Sequence, residues 1–477
     1  MWSLSLVVLL SASLSHAGPV AEVARTPPRG WNSYDSFTWL VNETQFLDNC
    51  QYMADNLLQH GYEYCVIDYL WYKLRDADDD LYDTWNIDSY GRPQPDVARW
   101  PSTAGGKGFR PIADKVHAMG LKFGFHIMMG TSSDAIKANS QVKGTSYTMQ
   151  DIAGNDACPT NTGPTAPHRD SNCGCSWEAH SKDVNASHPG AQAYYASLYD
   201  MFINDWQVDF LKNDCIFAIN YRPRQIKIQS QLIESSSRPV VYSLSPGGVG
   251  ADFPWVTDFN DIDFAEDVHP EVNMYRITND DWDTWADILP SHFDAAKNAS
   301  HLIGKAGLNG MSWPDLDMLP LGYVTDEGSD RGPTHYCKLT HDEQYTQITL
   351  WAMARSPLFF GGDMRMMDNF TLSLITNEEV LAIDSSSSQN EQVAETATSR
   401  TWKALGADGV TVYAAVFNVG SQLATLSISF SDLGLASGVT CTIKDVWTQQ
   451  QVGQATGTVS ASVNSHGTRL LSLSKCA

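Results

Sequence analysis

The sequence predicts a (β/α)8 TIM barrel followed by a C-terminal antiparallel β-sandwich domain. Between residues 27 and 382, short apolar runs alternate with helical patterns, which is typical of repeated βα units. From residue 390 to residue 477, short runs of β-forming residues alternate with turn residues, which indicates a sandwich. A chain of 477 residues is long enough for both domains.

The barrel prediction depends on the order of the elements. The first helix is predicted over residues 43–60, with a capping box formed by Asn42 and Gln45 and a stop at Gly61. Eight strands separated by helices or long loops are predicted over residues 29–37, 64–68, 121–128, 208–214, 239–244, 274–278, 307–311 and 357–360. In the sandwich, strands are predicted over residues 410–417, 424–430, 439–446 and 469–473.

Four carboxylates fall at or just beyond the ends of predicted barrel strands. They are Asp68, Asp214, Asp280 and Asp317. Catalytic groups of such barrels lie at the carboxyl ends of the strands, although an Asp after a strand more often caps a helix. Two carboxylates delivered in this way are the minimum that hydrolysis of a glycosidic bond requires. The sequence therefore predicts a carbohydrate-cleaving site.

The composition limits the possible partners. Acidic residues outnumber basic ones by 55 to 31, a net charge of −24, which disfavours nucleic acid and acidic membrane surfaces but not a neutral carbohydrate substrate. The spacing of Cys173 and Cys175 is too tight for a usual zinc site, and no nucleotide, metal or redox cofactor is predicted. The sequence does not predict an oligomeric state.

Several features predict a secreted, extracellular protein, with the lysosome or vacuole as alternative destinations. Residues 1–17 are expected to form a signal peptide, although no basic residue precedes its apolar core. Glycosylation sequons begin at Asn42, Asn185, Asn298 and Asn369. Some of the nine cysteines should pair in an oxidising compartment, in a connectivity that spacing cannot give.

A polar insertion over residues 131–181 interrupts the barrel pattern. It is rich in Ser, Thr, Asn, Gly and Pro, contains three cysteines, and is too long for an ordinary βα loop. We expect it to form a wall of the active site, because it leads from one strand end towards the strand of Asp214. A surface insertion without a role is the alternative.

Two short motifs resemble the active-site signatures of glycoside hydrolase family 27, the α-galactosidase (melibiase) family. Leu211-Lys212-Asn213-Asp214 is similar to a Leu-Lys-x-Asp segment, and Arg276 with Asp280 to an Arg-x-x-x-Asp segment. The resemblance implies a retaining exo-glycosidase that releases terminal α-D-galactosyl residues, with Asp214 as nucleophile and Asp280 as acid/base. Lys212 is a nearby cation that favours ionised Asp214. A disulfide from the 158–175 region to Cys215 is also implied.

The resemblance extends to residues that would bind the sugar. It implies an apolar platform at Trp31 and a hydroxyl-binding carboxylate at Asp68. Asp317 would hold the hydroxyl next to the anomeric carbon, with Met318 packed beside it. Arg276 is expected either to hydrogen-bond a sugar hydroxyl or a carboxylate, or to form an internal ion pair.

Three positions depart from the family pattern. Where the family has a second Asp that binds hydroxyl groups of galactose, this chain has Tyr69. His126 replaces a Tyr, and Ser245 replaces a Glu. Ser245 favours α-N-acetylgalactosaminidase activity, since a small residue leaves room near the 2-position. Tyr69 favours β-L-arabinopyranosidase activity, because its ring could fill the space of the hydroxymethyl group. An inactive carbohydrate-binding protein and a transglycosylase are further alternatives.

Overall fold

The computed structural model describes residues 22–75, 81–154, 174–175, 177–178, 180–217, 222–246, 268–326 and 335–477. The predicted signal peptide and part of the 131–181 insertion lie outside these residues. Within them, no helix is both long and apolar enough to cross a membrane.

Eight parallel strands form the barrel and confirm the predicted fold class. They are β1 (Arg29–Asn32), β2 (Tyr64–Ile67), β3 (Lys122–Met128), β4 (Phe210–Phe217), β5 (Val241–Pro246), β6 (Met274–Arg276), β7 (Gly310–Asp315) and β8 (Leu358–Phe360). Neighbours pair in sequence order from β1 to β7, and β8 pairs with β1. A parallel bridge between Leu319 and Phe360 joins the chain after β7 to β8.

Helices surround the strands. Those of seven or more residues are α1 (Glu43–Asn56), α2 (Arg110–Ala118), α3 (Pro189–Asp200), α4 (Pro223–Glu234), α5 (Phe293–Ala299), α6 (His341–Ala354), α7 (Asn369–Ile375) and α8 (Glu378–Ser386). The predicted capping box is present at the start of α1. The Asn42 side chain accepts a hydrogen bond from the Gln45 backbone amide, and the Gln45 side chain accepts one from the Asn42 backbone amide. Gly61, at φ +84°, ends the short 3-10 turn Leu58–His60 that follows.

Two predicted strands differ most from the observed ones in their bounds. The first ends at Asn32 rather than at residue 37, because the Asn32 side chain accepts the Tyr34 amide at 2.9 Å and turns the chain into the helix Tyr34–Phe37. The seventh was predicted over residues 307–311, but β7 begins at Gly310. Lys305–Gly307 instead pairs with β7 in antiparallel fashion, through a tight turn in which Asn309 has φ +49°.

The C-terminal domain contains eight strands. They are β9 (Ser388–Thr396), β10 (Ser399–Leu405), β11 (Val412–Asn418), β12 (Ala424–Ser429), β13 (Thr440–Asp445), β14 (Gln451–Thr456), β15 (Thr458–Val463) and β16 (Thr468–Ser474). Six form one antiparallel sheet in the order β9-β10-β11-β16-β13-β14, and β12 pairs with β15. The domain packs against the barrel through aromatic contacts, with the Phe293 and Phe417 rings 5.1 Å apart.

Candidate active site

Residues at the carboxyl ends of the barrel strands enclose a cavity of about 330 Å³. It is lined by Tyr34, Asp35, Asp68, Tyr69, His126, Trp177, Lys212, Asp214, Arg276, Asp280, Asp281, Trp282, Asp317 and Met318. This is the position in which barrel enzymes carry their active sites. The four strand-end carboxylates that the sequence singled out therefore share one cavity.

Asp214 is a largely buried carboxylate, with 13% of its side chain exposed, and it is held by hydrogen-bond donors. It lies on β4, where His126 of β3 approaches its Oδ2 atom with Nε2 at 3.0 Å, and the Cys215 amide donates to Oδ1 at 2.6 Å. Burial raises the pKa of Asp214, but the hydrogen bond from His126 and the charges of His126, Arg276 and Lys212 outweigh it and bring the pKa below its ordinary value. The site therefore holds Asp214 in its ionised form.

Lys212 is paired with Asp68 rather than with Asp214. Its Nζ atom lies 3.3 Å from Asp68 Oδ2, which also accepts a 2.7 Å hydrogen bond from Asn32 Nδ2. Burial raises the pKa of Asp68, but Lys212, His126 and these hydrogen bonds lower it to about 2. The predicted effect of Lys212 on Asp214 is present as a weaker, more distant attraction.

Arg276 binds two carboxylates at once. Its Nη1 atom lies 2.6 Å from Asp280 Oδ1 and 3.1 Å from Asp317 Oδ2. The Asp317 carboxylate also accepts a 2.9 Å hydrogen bond from the Asp281 backbone amide. The backbone of Asp317 has a positive φ of +86°. The Asp280 side chain nevertheless remains 61% exposed, whereas that of Asp317 is buried. Arg276 thus lines the cavity and forms ion pairs with two of its carboxylates.

Aromatic side chains form one wall of the cavity. The Tyr69 ring packs against His126, Trp177 and Tyr34 at centroid distances of 5.5, 5.6 and 6.3 Å. Trp177 belongs to the 131–181 insertion, so this part of the insertion forms the expected wall. A disulfide between Cys175 and Cys215, at the place that the resemblance implied, fixes Trp177 beside β4, the strand that carries Asp214.

Two predicted site residues lie outside the cavity. Trp31 is fully buried, contacts the Phe46 ring of α1 and donates to the Gly362 carbonyl, so it cannot serve as a platform for a sugar. The reason is that successive side chains of a strand point to opposite faces. Trp31 pairs with Cys65 on the helix-facing side of the barrel, whereas the next residue, Asn32, points inward and contacts Asp68. Ser245 is buried and does not line the cavity.

The structure adds residues that the sequence analysis missed. They are Tyr34, Asp35, Trp177, Asp281 and Trp282. The first two follow β1 directly and the last two follow Asp280, so position at a strand end could have identified them. Asp281 is buried, accepts from Gln347 Nε2 at 2.5 Å, and so anchors the loop that carries Asp280.

No group of three or more His, Cys, Asp or Glu residues suited to a metal ion occurs in the part of the chain that the structure describes. The charged groups that line the cavity are carboxylates and their cationic partners, Lys212 and Arg276.

Comparisons with known proteins agree with this geometry. Residues 175–386 match the family model described as alpha galactosidase A, and residues 396–473 match that of the alpha galactosidase C-terminal beta sandwich domain. An alpha-galactosidase of Cyamopsis tetragonoloba is 27% identical, covering 94% of this chain and 86% of that protein.

Two solved structures are more similar in sequence. A β-L-arabinopyranosidase of Geobacillus stearothermophilus is 34% identical, with a TM-score of 0.80, over 94% of this chain and 97% of that one. A putative alpha-N-acetylgalactosaminidase of Bacillus halodurans is 33% identical, with a TM-score of 0.78, over 96% and 99%. Fold and site thus define a glycoside hydrolase. The chain belongs to glycoside hydrolase family 27.

Proposed function

We propose that this protein is a retaining exo-glycosidase that releases terminal α-D-galactosyl residues, with Asp214 as nucleophile and Asp280 as acid/base. The observation that carries the proposal is the placement of a largely buried, ionised carboxylate and a solvent-accessible carboxyl group in one cavity. Retaining glycosidases require such a pair. Alpha-galactosidases among its relatives support the choice of substrate.

The reaction follows from these two groups. Asp214 attacks the anomeric carbon and forms a glycosyl-enzyme ester, while the glycosidic bond breaks and its oxygen takes a proton from Asp280. A water molecule then attacks the same carbon, gives its proton to Asp280 and releases Asp214. The exposed Asp280 side chain can exchange protons with solvent and leaves space for the departing group.

Two charged pairs would bind the hydroxyl groups of the sugar. Asp68 with Lys212, and Asp317 with Arg276, each present both acceptors and donors within the cavity. At about 330 Å³ the cavity is at the low end of the range for ligand sites, which fits a single terminal sugar. An inactive binding protein would not need both Asp214 and Asp280.

A second candidate activity is that of a β-L-arabinopyranosidase. This sugar has the ring configuration of α-D-galactose without the hydroxymethyl group, and the Tyr69 ring occupies the cavity where the family pattern has a carboxylate. The solved arabinopyranosidase at 34% identity supports the same candidate. Ser245, which motivated the α-N-acetylgalactosaminidase alternative, is not among the residues that line the cavity, so no described contact favours that activity.

We also propose that the protein is exported, as the predicted signal peptide indicates. Among the described residues, the disulfides Cys50–Cys65, Cys175–Cys215 and Cys441–Cys476 suit an oxidising compartment. Expression of the full-length chain in a secreting host, with N-terminal sequencing of protein from the medium, tests the cleavage after Ala17.

Initial rates on three p-nitrophenyl glycosides test the proposed activity. The panel comprises the α-D-galactoside, the β-L-arabinopyranoside and the α-N-acetyl-D-galactosaminide. Hydrolysis of the first or second, with little of the third, is expected. Absence of turnover on all three would contradict the proposal, and preference for the third would overturn its substrate assignment.

A further inference from the structure

The chain between β7 and α6 carries a second group of aromatic and polar residues outside the cavity. It contains a short hairpin in which Tyr323–Val324 pairs with His335–Tyr336. We propose that Tyr323 and Tyr336, flanked by Asp326 and Lys338, form a platform for the neutral sugars on the leaving-group side of the scissile bond. This inference rests on the proposed function and extends it to the rest of the substrate.

The hairpin lies on the same face of the barrel as the cavity. Asp317 and Met318, which line the cavity, precede it in the same connection. Thr325 donates its amide to the Asp35 carbonyl at 2.8 Å, which ties the hairpin to the connection after β1. The hairpin is therefore attached to Asp35, a residue that lines the cavity.

Two further hydrogen bonds tie the hairpin to the loop of the acid/base. The Oδ2 atom of Asp283 lies 2.8 Å from His335 Nε2 and accepts the Lys338 amide at 2.9 Å. Asp283 follows Asp280 by three residues, so their Cα atoms are separated by about 10 Å at most. Because Asp280 protonates the departing oxygen, the leaving group must lie on this side of the cavity.

The exposed side chains have the chemistry that a neutral sugar requires. Tyr336 is 51% exposed and meets Tyr323 edge to face, with ring centroids 4.9 Å apart, so aromatic surface remains open to solvent. Asp326 and Lys338 form a 2.6 Å ion pair and are 59% and 55% exposed. Aromatic rings stack on the apolar face of a sugar, while charged groups beside them bind its hydroxyls.

A purely structural role is the competing explanation. Cross-strand tyrosine pairs stabilise hairpins by themselves. That role explains the contact between the two rings, but it requires neither the 51% exposure of Tyr336 nor the position of the hairpin on the face of the barrel that carries the cavity. A net charge of −24 further favours a neutral oligosaccharide over an acidic one.

Substrate length provides the test. Wild type, Tyr336→Ala and the matched control Tyr336→Phe are compared on the p-nitrophenyl glycoside of the preferred sugar. They are also compared on an oligosaccharide that carries the same terminal sugar on two further neutral sugars. Tyr336→Ala should lower kcat/KM for the oligosaccharide about 3- to 10-fold, mainly through KM, and change the nitrophenyl rate less than about twofold. Tyr336→Phe keeps the ring and should resemble wild type on both.

Other results have distinct meanings. Equal kcat/KM for wild type and Tyr336→Ala on the oligosaccharide would overturn the platform. Equal losses on both substrates would overturn it too, because they would indicate a structural role for the hairpin. If wild type releases the terminal sugar from neither substrate, the proposed function itself fails and the platform fails with it.

Discussion

His126 Nε2 lies 3.0 Å from Asp214 Oδ2, across the adjacent strands β3 and β4. His126 is fully buried, and its strand neighbour Lys212 is already paired with Asp68. Among the described residues, the side chain that forms a hydrogen bond with the proposed nucleophile is that of His126, at a position where the family pattern has a Tyr. This contact is the main reason that a buried carboxylate keeps a lowered pKa.

Removal of this hydrogen bond should shift the pH profile. His126→Phe removes the hydrogen bond and the charge that lower the pKa of Asp214, whereas burial, which raises this pKa, remains. The acidic limb of the kcat/KM profile is therefore expected to move to higher pH. The sign follows because activity requires ionised Asp214, which is lost as pH falls through its pKa. Rates measured from pH 3 to pH 8 in roughly half-unit steps check this.

His126→Gln is the matched control for that substitution. Its amide can still donate to Asp214 but carries no charge, so its acidic limb should lie between those of wild type and His126→Phe. An unchanged limb in His126→Phe would show that His126 does not control the nucleophile.

The Asp214 carboxylate itself should be indispensable. Asp214→Asn preserves size but cannot attack the anomeric carbon, so a loss on the order of 10⁴-fold or more in kcat is expected. Circular dichroism and the melting temperature would report whether the fold is kept. Near-normal turnover by the folded variant would exclude Asp214 as nucleophile.

Asp280 should act on the leaving group. Asp280→Ala is expected to lose about 10²- to 10⁴-fold in kcat/KM on unactivated oligosaccharides, but much less on dinitrophenyl glycosides, which need little protonation. Because Arg276 would then lose one of the two carboxylates that it contacts among the described residues, the oligosaccharide KM should be recorded separately. Equal losses on both substrate types would argue against an acid/base role.

Tyr69 should control the choice of sugar. A carboxylate at this position accepts hydroxyl hydrogen bonds, whereas the phenol offers a single donor–acceptor group and more bulk. Tyr69→Asp is therefore expected to raise kcat/KM for the α-D-galactoside relative to the β-L-arabinopyranoside by about tenfold or more. Tyr69→Phe keeps the bulk and should leave the ratio near that of wild type.

Competition between the two glycosides in one reaction gives the ratio directly. If Tyr69→Asp leaves it unchanged or moves it towards the arabinoside, Tyr69 is only a wall residue.

Much of the site could be predicted from the sequence, because strand ends are visible as apolar runs that stop at a charged residue. Asp68, Asp214, Asp280 and Asp317 were found in this way and share one cavity. Trp31 was misplaced, because the side to which a strand residue points depends on register: its pairing with Cys65 directs it towards the helices.

Other features depend on contacts distant in sequence. Trp177 reaches the cavity through the Cys175–Cys215 disulfide, and no local pattern marks it. In the C-terminal domain four of the eight strands, β9, β10, β14 and β15, were not predicted. Two of them, β9 and β14, are edge strands that are polar along most of their length and carry no alternation of apolar residues.

The stereochemistry of the reaction tests the central claim most directly. Double displacement at Asp214 inverts the anomeric carbon twice, so the first-formed sugar must keep the configuration of the substrate. Proton NMR, recorded within the first minutes of hydrolysis and before mutarotation, identifies that anomer. The account predicts α-D-galactose from an α-galactoside, or β-L-arabinopyranose from a β-L-arabinopyranoside. The opposite anomer as first product would contradict the assignment of Asp214 and Asp280.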